Sequence, residues 1–478
     1  MKKRTYNPIT PAVVRELERI VGPAYVVYGD RERLEPYSHD EIADRHYAHM
    51  PEALVRPANA EQIAKVMKLA NRRRFPVTPR GAGSGLSGGA VPIHGGVVLL
   101  CDRMNRILEI DRENLFAVVE PGVVTNEINE AIKDFGLFYA GYPMSLETCF
   151  IGGNVAENAG GGKAVKYGVT SRYVTGLEVV TPTGDILHLG GKRVKDVTGY
   201  DLIQLLVGSE GTLGIFTQIT LRLLPLPRAA VDLLAIFRSP QDAIAAAPRI
   251  MTESALIPTS IEFMDQTAMK AACDYLNETI PYGRAGAEGA ALLITLDGPD
   301  AQRLEGQYEA VGAMCTKAGA VEVYVADNAT TSLRIWKVRM NIGEAFNLVN
   351  RNQSGEDIVV PPAAIPQMVA KLNELARRYD VLIPCYGHAG DGNIHARIVM
   401  NPSWPLEKWD RTLPKILAEL YALTAELGGR ISGEHGIGHK RKKYMPLVVS
   451  KAYIDMLRAI KRALDPNLVL NPGKIFDA

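Results

Sequence analysis

Helical spacing of apolar positions comes first along the chain. A helix opens at Thr10, an N-cap residue, takes Pro11 in its first turn and ends near Gly22. A second begins at Asn59 with Ala60-Glu61-Gln62-Ile63 and runs to the basic Arg72-Arg73-Arg74. The pattern then shortens. Val97-Val98-Leu99-Leu100, Phe116-Ala117-Val118-Val119 and Leu177-Glu178-Val179-Val180 predict short buried strands, and Pro182-Thr183-Gly184-Asp185 turns the last into Ile186-Leu187-His188-Leu189. Gly208 to Gly214 leads to one more strand, Ile215 to Leu224, closed by Pro225-Leu226-Pro227, where a domain boundary is expected. Beyond it, strands at Leu233 to Phe237, Ser260 to Met264, Ala291 to Asp297 and Val321 to Val325 alternate with helical stretches, the first capped by Ser239-Pro240. This predicts an α+β domain with helices packed on a sheet. Helical sequence returns from Leu413 to Leu427 and from Lys451 to Leu464. The expected division is residues 1–227, 228–412 and a C-terminal helical segment 413–478 that packs back on the first.

At 478 residues the chain exceeds one ordinary core. Its 47% apolar and 22% charged residues are those of a globular protein, and a net charge of +1 with no long basic run gives no field to gather nucleic acid. Met1-Lys2-Lys3-Arg4 is basic, but Thr5-Tyr6-Asn7-Pro8 follows where a signal peptide would be apolar, and no apolar run reaches the roughly 18 residues of a membrane span. A cytoplasmic protein without transmembrane segments is expected. Cys101, Cys149, Cys273, Cys315 and Cys385 lie far apart, so neither a disulfide framework nor an iron–sulfur cluster is indicated.

Residues 385 to 395 read Cys-Tyr-Gly-His-Ala-Gly-Asp-Gly-Asn-Ile-His, and Ile431-Ser432-Gly433-Glu434-His435-Gly436-Ile437-Gly438 follows some forty residues later. If Asp391-Gly392 forms a two-residue hairpin turn, Gly390 faces Asn393, Ala389 faces Ile394 and His388 faces His395. Directly opposed Cβ atoms lie roughly 4.5 to 5.5 Å apart, close enough for both imidazoles to bind one divalent ion. Glu434 is the natural third ligand. Two His and one carboxylate leave a coordination position open, as catalytic sites do, with His435 as a base beside the metal. The plainer alternative is a chance pair of buried histidines.

Glycine-rich loops form the other signal. Arg80-Gly81-Ala82-Gly83-Ser84-Gly85-Leu86-Ser87-Gly88-Gly89 follows a short strand, and such glycine density lets successive N–H groups turn inward on a phosphate. It fits neither the Walker nor the Rossmann pattern, and alone it equally suits a tight structural loop. Tyr142 to Gly162 is a second polar, glycine-rich loop and Gly208 to Ile215 a third, which together imply a large polar ligand.

These three segments resemble the flavin-binding domain of the vanillyl-alcohol oxidase superfamily. The Gly-His-x-Gly-Asp-Gly-Asn-x-His and Gly-Glu-His-Gly motifs resemble its D-2-hydroxyacid dehydrogenase branch, the glycolate oxidase catalytic-subunit and D-lactate dehydrogenase group. The resemblance implies a two-part flavin-binding domain plus an α+β substrate domain on an antiparallel sheet. It places the FAD pyrophosphate on Arg80, Gly81, Ala82, Gly83, Ser84, Gly85, Gly88 and Gly89. Along the flavin it places Pro143, Ser145, Thr148, Gly152, Gly153, Asn154, Ala156 and Gly161. Glu210, Gly211, Leu213, Gly214 and Ile215 are implied near the cofactor, with Asn471 returning to it. No His lies between Arg80 and Pro92, and Cys149 is not where a linking Cys is expected, so non-covalent FAD follows.

A flavin beside a divalent metal (zinc first, iron or manganese next) and a His base suggests oxidation of a hydroxyl next to a carboxylate. Arg339 resembles the family's substrate-carboxylate arginine, although Arg334, Lys337 and Arg339 also read as a solvated helix face. Asn393 is expected to point into the pocket or to shape the turn. Relatives acting on larger dicarboxylic hydroxyacids carry a Lys before the Asp-x-x-x-Pro strand, where this chain has Ser354-Gly355-Glu356-Asp357. A small monocarboxylate is therefore expected, D-lactate ahead of glycolate and 2-hydroxyglutarate lower. The competing readings are an alkyl-glycerone-phosphate synthase-like flavin transferase and a flavin-free metal hydrolase. No second redox motif is present, so electrons are expected to pass to a quinone, to oxygen, or to a partner such as an electron-transferring flavoprotein or iron–sulfur subunit.

Overall fold

The computed structural model describes residues 6–286, 289–326 and 328–478; the basic Met1-Lys2-Lys3-Arg4 stretch lies outside them. The chain forms two compact units. One comprises the residues up to Gly160, Val169–Leu226 and Glu434–Ala478; the other comprises Gly161–Gly168 and Pro227–Gly433. The last division falls after Gly433 and not at 412, because the helix Leu406–Glu426 packs on the strand Gln353–Val359 and the helix Ile365–Tyr379 of the second unit.

Local signals set the start of the first unit. Thr10 Oγ1 accepts the Val13 N–H and Asn59 Oδ1 the Gln62 N–H, each satisfying an orphan donor of the helix it caps, Pro11–Val21 and Ala60–Arg73 respectively. Their apolar faces, including Leu17, Ile63, Val66 and Met67, close over Val77, Val97 and Leu99. Those residues belong to a four-stranded sheet ordered Val26–Tyr28, Ala53–Val55, Val97–Leu100, Val77–Arg80, with Val97–Leu100 parallel to both neighbours. A five-stranded antiparallel sheet completes the unit: Ile107–Asp111, Phe116–Val119, Ile215–Arg222, Val174–Val180, Ile186–Gly190. This is the two-part architecture expected of the flavin-binding domain.

The second unit is built on seven strands, β1 (Ala229–Phe237), β2 (Ser260–Asp265), β3 (Ala290–Gly298), β4 (Ala320–Ala326), β5 (Gln353–Val359), β6 (Cys385–His388) and β7 (Asn393–Val399). Their spatial order is β4-β1-β3-β2-β6-β7-β5, and every pairing is antiparallel. Side chains alternate across such a sheet, so the register assigns faces. Leu234, Ile236, Leu293, Ala291 and Met264 share one face and pack under the helices Gln266–Leu276, Ala329–Met340 and Ile342–Val349. Continuing across the same face, the register reaches Glu262, His388 and Asn393 in one row and Tyr386, His395 and Asp357 in the next. This cluster of carboxylates, amide and imidazoles at one end of the face is the feature on which the site is built. Among the described residues, no helix is long and apolar enough to cross a membrane.

Candidate active site

In the first unit the strand Val77–Arg80 delivers the first glycine loop. Among the described residues, the backbone N–H groups of Ala82, Gly83, Ser84 and Gly85 have no acceptor. Ala82 is exposed and Gly83, Ser84 and Gly85 are half-buried, so this run of open donors offers a cradle for an anion. Such a cradle could hold the pyrophosphate of FAD. Arg80 does not face this cradle. Its guanidinium turns back to donate to His39 O at 2.7 Å and Pro36 O at 3.3 Å, stacks near Tyr37 and lies under Gly83, whose φ of +83° a side chain would strain. Gly81 packs near Phe150, Gly88 N–H donates to Asp40 Oδ2 at 2.7 Å, and Gly89 O accepts from Asn471.

The second segment is not all loop. Pro143 to Thr148 is irregular, with Ser145 and Thr148 exposed, but Ile151–Glu157 is helical. Tertiary packing overrides the weak helix propensity of its glycines: a Cβ on Gly152 would press on Pro121, while Gly153 faces open space. Asn154 is buried, its Nδ2 donating to Thr125 Oγ1 at 2.6 Å, and Ala156 O accepts the Glu210 N–H. Gly161 opens the short stretch assigned to the second unit.

In the third segment Gly211 packs on Pro79, Gly214 on Val179, half-buried Leu213 stands between them and Ile215 starts its strand. Glu210 and Asn471, expected near the cofactor, staple the loops together through their polar atoms. Asn471 Nδ2 donates to Gly89 O at 3.0 Å and Glu210 O at 2.8 Å, joining the first loop, the third loop and the C-terminal tail. The Glu210 carboxylate accepts Ile437 N–H at 2.7 Å and Gly438 N–H at 2.6 Å, which anchors the turn after Glu434-His435. Gly436 at φ +85° and Gly438 at φ +53° supply the bend that turn requires. His435 Nε2 lies 3.7 Å from Glu434 Oε1. Beside this turn sits Glu157, whose Oε2 is buried without a hydrogen-bond partner among the described residues. Burial first, and then the neighbouring Glu210 and Asp40, push its carboxyl well above the usual range. Composition gave no signal for this acid.

The second unit holds the histidine hairpin, with a register two residues away from the expected one. Tyr386 pairs with His395 and His388 with Asn393, because the connection is the four-residue loop 389–392 and not a two-residue turn. Asp391 and Gly392 N–H both donate to His388 O, and Gly392 at φ +93° leaves the loop against Val360, whose N–H donates to Gly392 O. A shift of two preserves the face. His388 and His395 are therefore diagonal neighbours, ring centroids 5.4 Å apart and nearly perpendicular.

Hydrogen bonds fix which nitrogen each ring offers. His388 Nδ1 lies 2.7 Å from Glu262 Oε1. A carboxylate only accepts, so Nδ1 carries the proton and Nε2 the lone pair. Asn393 Nδ2 donates to Asp357 Oδ1 at 2.7 Å and Ile358 O at 3.1 Å, two acceptors that settle the amide's orientation and turn Oδ1 to His395 Nε2 at 3.0 Å. His395 thus carries its proton on Nε2 and its lone pair on Nδ1. Asp357, fully buried, also accepts Ser432 Oγ–H at 2.7 Å and Gly433 N–H at 3.0 Å through Oδ2. Glu434 and His435 follow Gly433 in the chain. In their neutral forms, imidazoles with lone pairs so directed fit a divalent ion such as zinc.

Arg339 does not belong to a solvated face. Arg334 does, pairing on the surface with Glu278, whereas Arg339 is buried with its Nη2 2.6 Å from Glu262 Oε2 and its Cζ 5.2 Å from the Tyr386 ring centre. Burial raises the Glu262 carboxyl, but His388 and Arg339 outweigh that and hold it below the usual range. Sequence reasoning missed Glu262 and Asp357, single acids inside ordinary strands. It also missed Arg397, opposite Gly355 on the same face, which donates to Gln353 Oε1 at 2.9 Å and Tyr386 Oη at 3.3 Å and has no acidic partner among the described residues. The missing lysine near Gly355 therefore does not leave that end of the face without a cation.

Comparison with known proteins decides the family. Residues 51–190 match the family described as FAD binding domain and residues 226–475 that of FAD linked oxidases, C-terminal domain. The chain belongs to the FAD-linked oxidase family. It is similar to a glycolate oxidase subunit GlcD of Bacillus subtilis (strain 168), 40% identical over 98% of this chain and 97% of that protein. It is also similar to a D-lactate dehydrogenase of Anaerostipes hadrus, 37% identical over 99% of both chains. A solved alkyldihydroxyacetonephosphate synthase shares the fold with a TM-score of 0.74 over 98% of this chain and 87% of that one, at 20% identity. That distance carries the fold alone. This FAD-linked oxidase is an oxidoreductase of the vanillyl-alcohol oxidase type.

Proposed function

We propose that the protein oxidises a small D-2-hydroxy acid to the 2-oxo acid, D-lactate ahead of glycolate, with FAD bound non-covalently. Bound FAD supplies a hydride acceptor, and a divalent ion supplies a Lewis acid that lowers the pKa of the substrate hydroxyl. His388, His395 and Glu434 would hold the ion. His435 takes the hydroxyl proton at its imidazole while the Cα hydrogen leaves with its electron pair. Arg339 binds the substrate carboxylate through Nε, which is buried without a hydrogen-bond partner among the described residues, and Nη1, while Nη2 lies 2.6 Å from Glu262 Oε2. Asn393 holds His395 and so sets the angle of its ring. Electrons then pass to an acceptor outside the chain, an electron-transferring flavoprotein or iron–sulfur subunit being the favoured class.

The observation that carries this reading is the pair of adjoining rows, Glu262, His388 and Asn393 beside His395 and Asp357, on one face of the sheet. The test is anaerobic bleaching of the flavin by D-lactate and by glycolate, with and without chelation. Substrate should bleach it, chelator should stop bleaching while FAD stays bound, and acid precipitation should release all the flavin. His435→Ala should slow bleaching by about a hundredfold to ten-thousandfold, the usual loss for a general base. Bleaching at the parental rate in that variant, or active protein without metal, would refute the mechanism.

A further inference from the structure

We propose that Glu262 is a positioning residue that sets, from one buried carboxylate, both the nitrogen His388 presents to a metal and the direction of the Arg339 guanidinium. The inference rests on the function proposed above. Glu262 is fully buried near the centre of β2, and its direct cross-strand partner is His388. Its two oxygens divide between two elements: Oε1 takes His388 Nδ1 at 2.7 Å, and Oε2 forms an ion pair with Arg339 Nη2 at 2.6 Å from the helix Ala329–Met340. Tyr386, two residues before His388 on the same strand, lies under the guanidinium and edge-on to His395, ring centroids 5.2 Å apart. The metal ligand and the carboxylate anchor are thus fixed to one another through a single acid.

Chemistry explains why an acid is needed. A carboxylate is negative and accepts at both oxygens, so it forces the proton onto His388 Nδ1 and pairs with the Arg339 cation at once. Glutamine cannot do both. With its amide oxygen toward His388 its NH2 faces the Arg339 donor, and with the amide reversed the NH2 meets Nδ1 and forces the other tautomer, moving the lone pair away from Nε2. Outer partners of this kind typically change metal affinity about tenfold to a hundredfold. A salt bridge of purely structural value would leave the imidazole tautomer and the substrate KM untouched.

The experiment uses the full-length FAD-containing protein, stripped of metal by chelator, in parental, Glu262→Gln and Glu262→Asp forms. Imidazole 15N shifts of histidine-labelled protein should show His388 protonated on Nδ1 in the parent and changed in Glu262→Gln. Zinc titration against a competing chelator should give binding about tenfold to a hundredfold weaker in Glu262→Gln, and the KM for D-lactate should rise with FAD content unchanged. Glu262→Asp keeps the charge on a shorter arm and guards against a folding failure of the first variant; it should retain the Nδ1–H tautomer and lose only part of the affinity. An Nε2–H tautomer in the parent overturns the proposal, as do zinc affinity and KM within twofold of the parent in folded Glu262→Gln. Failure of the parent to oxidise any 2-hydroxy acid would sink the proposed function instead, and the tautomer measurement still judges Glu262.

Discussion

Replacing Asp357 by Asn changes no volume and tests the network that ties the hairpin to the segment before Glu434. Three donors converge on this buried carboxylate: Asn393 Nδ2 at 2.7 Å, Ser432 Oγ at 2.7 Å and Gly433 N at 3.0 Å. Bonds to a charged acceptor contribute about 1.5–3 kcal/mol each against about 0.5–1.5 for neutral ones, so neutralisation loses roughly 1 kcal/mol per bond. Asparagine also has only one acceptor oxygen. If that oxygen keeps Ser432 and Gly433, the new NH2 faces Asn393, which must flip. A flipped Asn393 turns its NH2 to His395 Nε2, so the ring must accept there and carry its proton on Nδ1. A loss of about 3 kcal/mol is expected, and buried partners removed elsewhere give about 3–5. At about 2–4 °C per kcal/mol for a unit of this size, calorimetry of the FAD-containing protein should place the transition of the second unit about 6–12 °C lower. Zinc retention after dialysis should fall with it, since the His395 lone pair has moved. A transition within 2 °C of the parent together with full zinc retention would show that the carboxylate is not the organising group.

Gly83→Val should yield protein with little FAD, measured as flavin absorbance per chain. The cause is the Arg80 guanidinium beneath Gly83 together with the +83° φ, so Arg80→Ala should restore part of the binding if space is the dominant effect and none if the backbone angle is. Glu157→Gln should become progressively more stable relative to the parent as pH rises from 5 to 7. A carboxyl whose folded pKa is raised binds more protons folded than unfolded above its ordinary range, so its stability contribution is lost as pH rises. Lys474, buried and lowered to about 7, works in the opposite direction only above that pH, which keeps the two effects apart; equal melting shifts at pH 5 and 7 would contradict the assignment.

Local chemistry was legible without coordinates. Thr10 and Asn59 cap their helices because a short polar side chain reaches N–H groups three residues on, whatever the rest of the chain does. The open N–H groups of Ala82 to Gly85 likewise follow from glycine density. Tertiary structure decided what depends on partners distant in sequence. Gly152 and Gly153 entered a helix because packing on Pro121 outweighs their propensity. The hairpin shifted by two because Gly392 is held on Val360, a constraint outside the hairpin itself. Above all, Glu262 reaches His388 across 126 positions and Asp357 reaches Gly433 across 76. An acid inside an apolar strand carries no local mark of its role; only the register that lays β2 beside β6, and β5 beside β7, brings its carboxylate to the donors that keep it charged and buried.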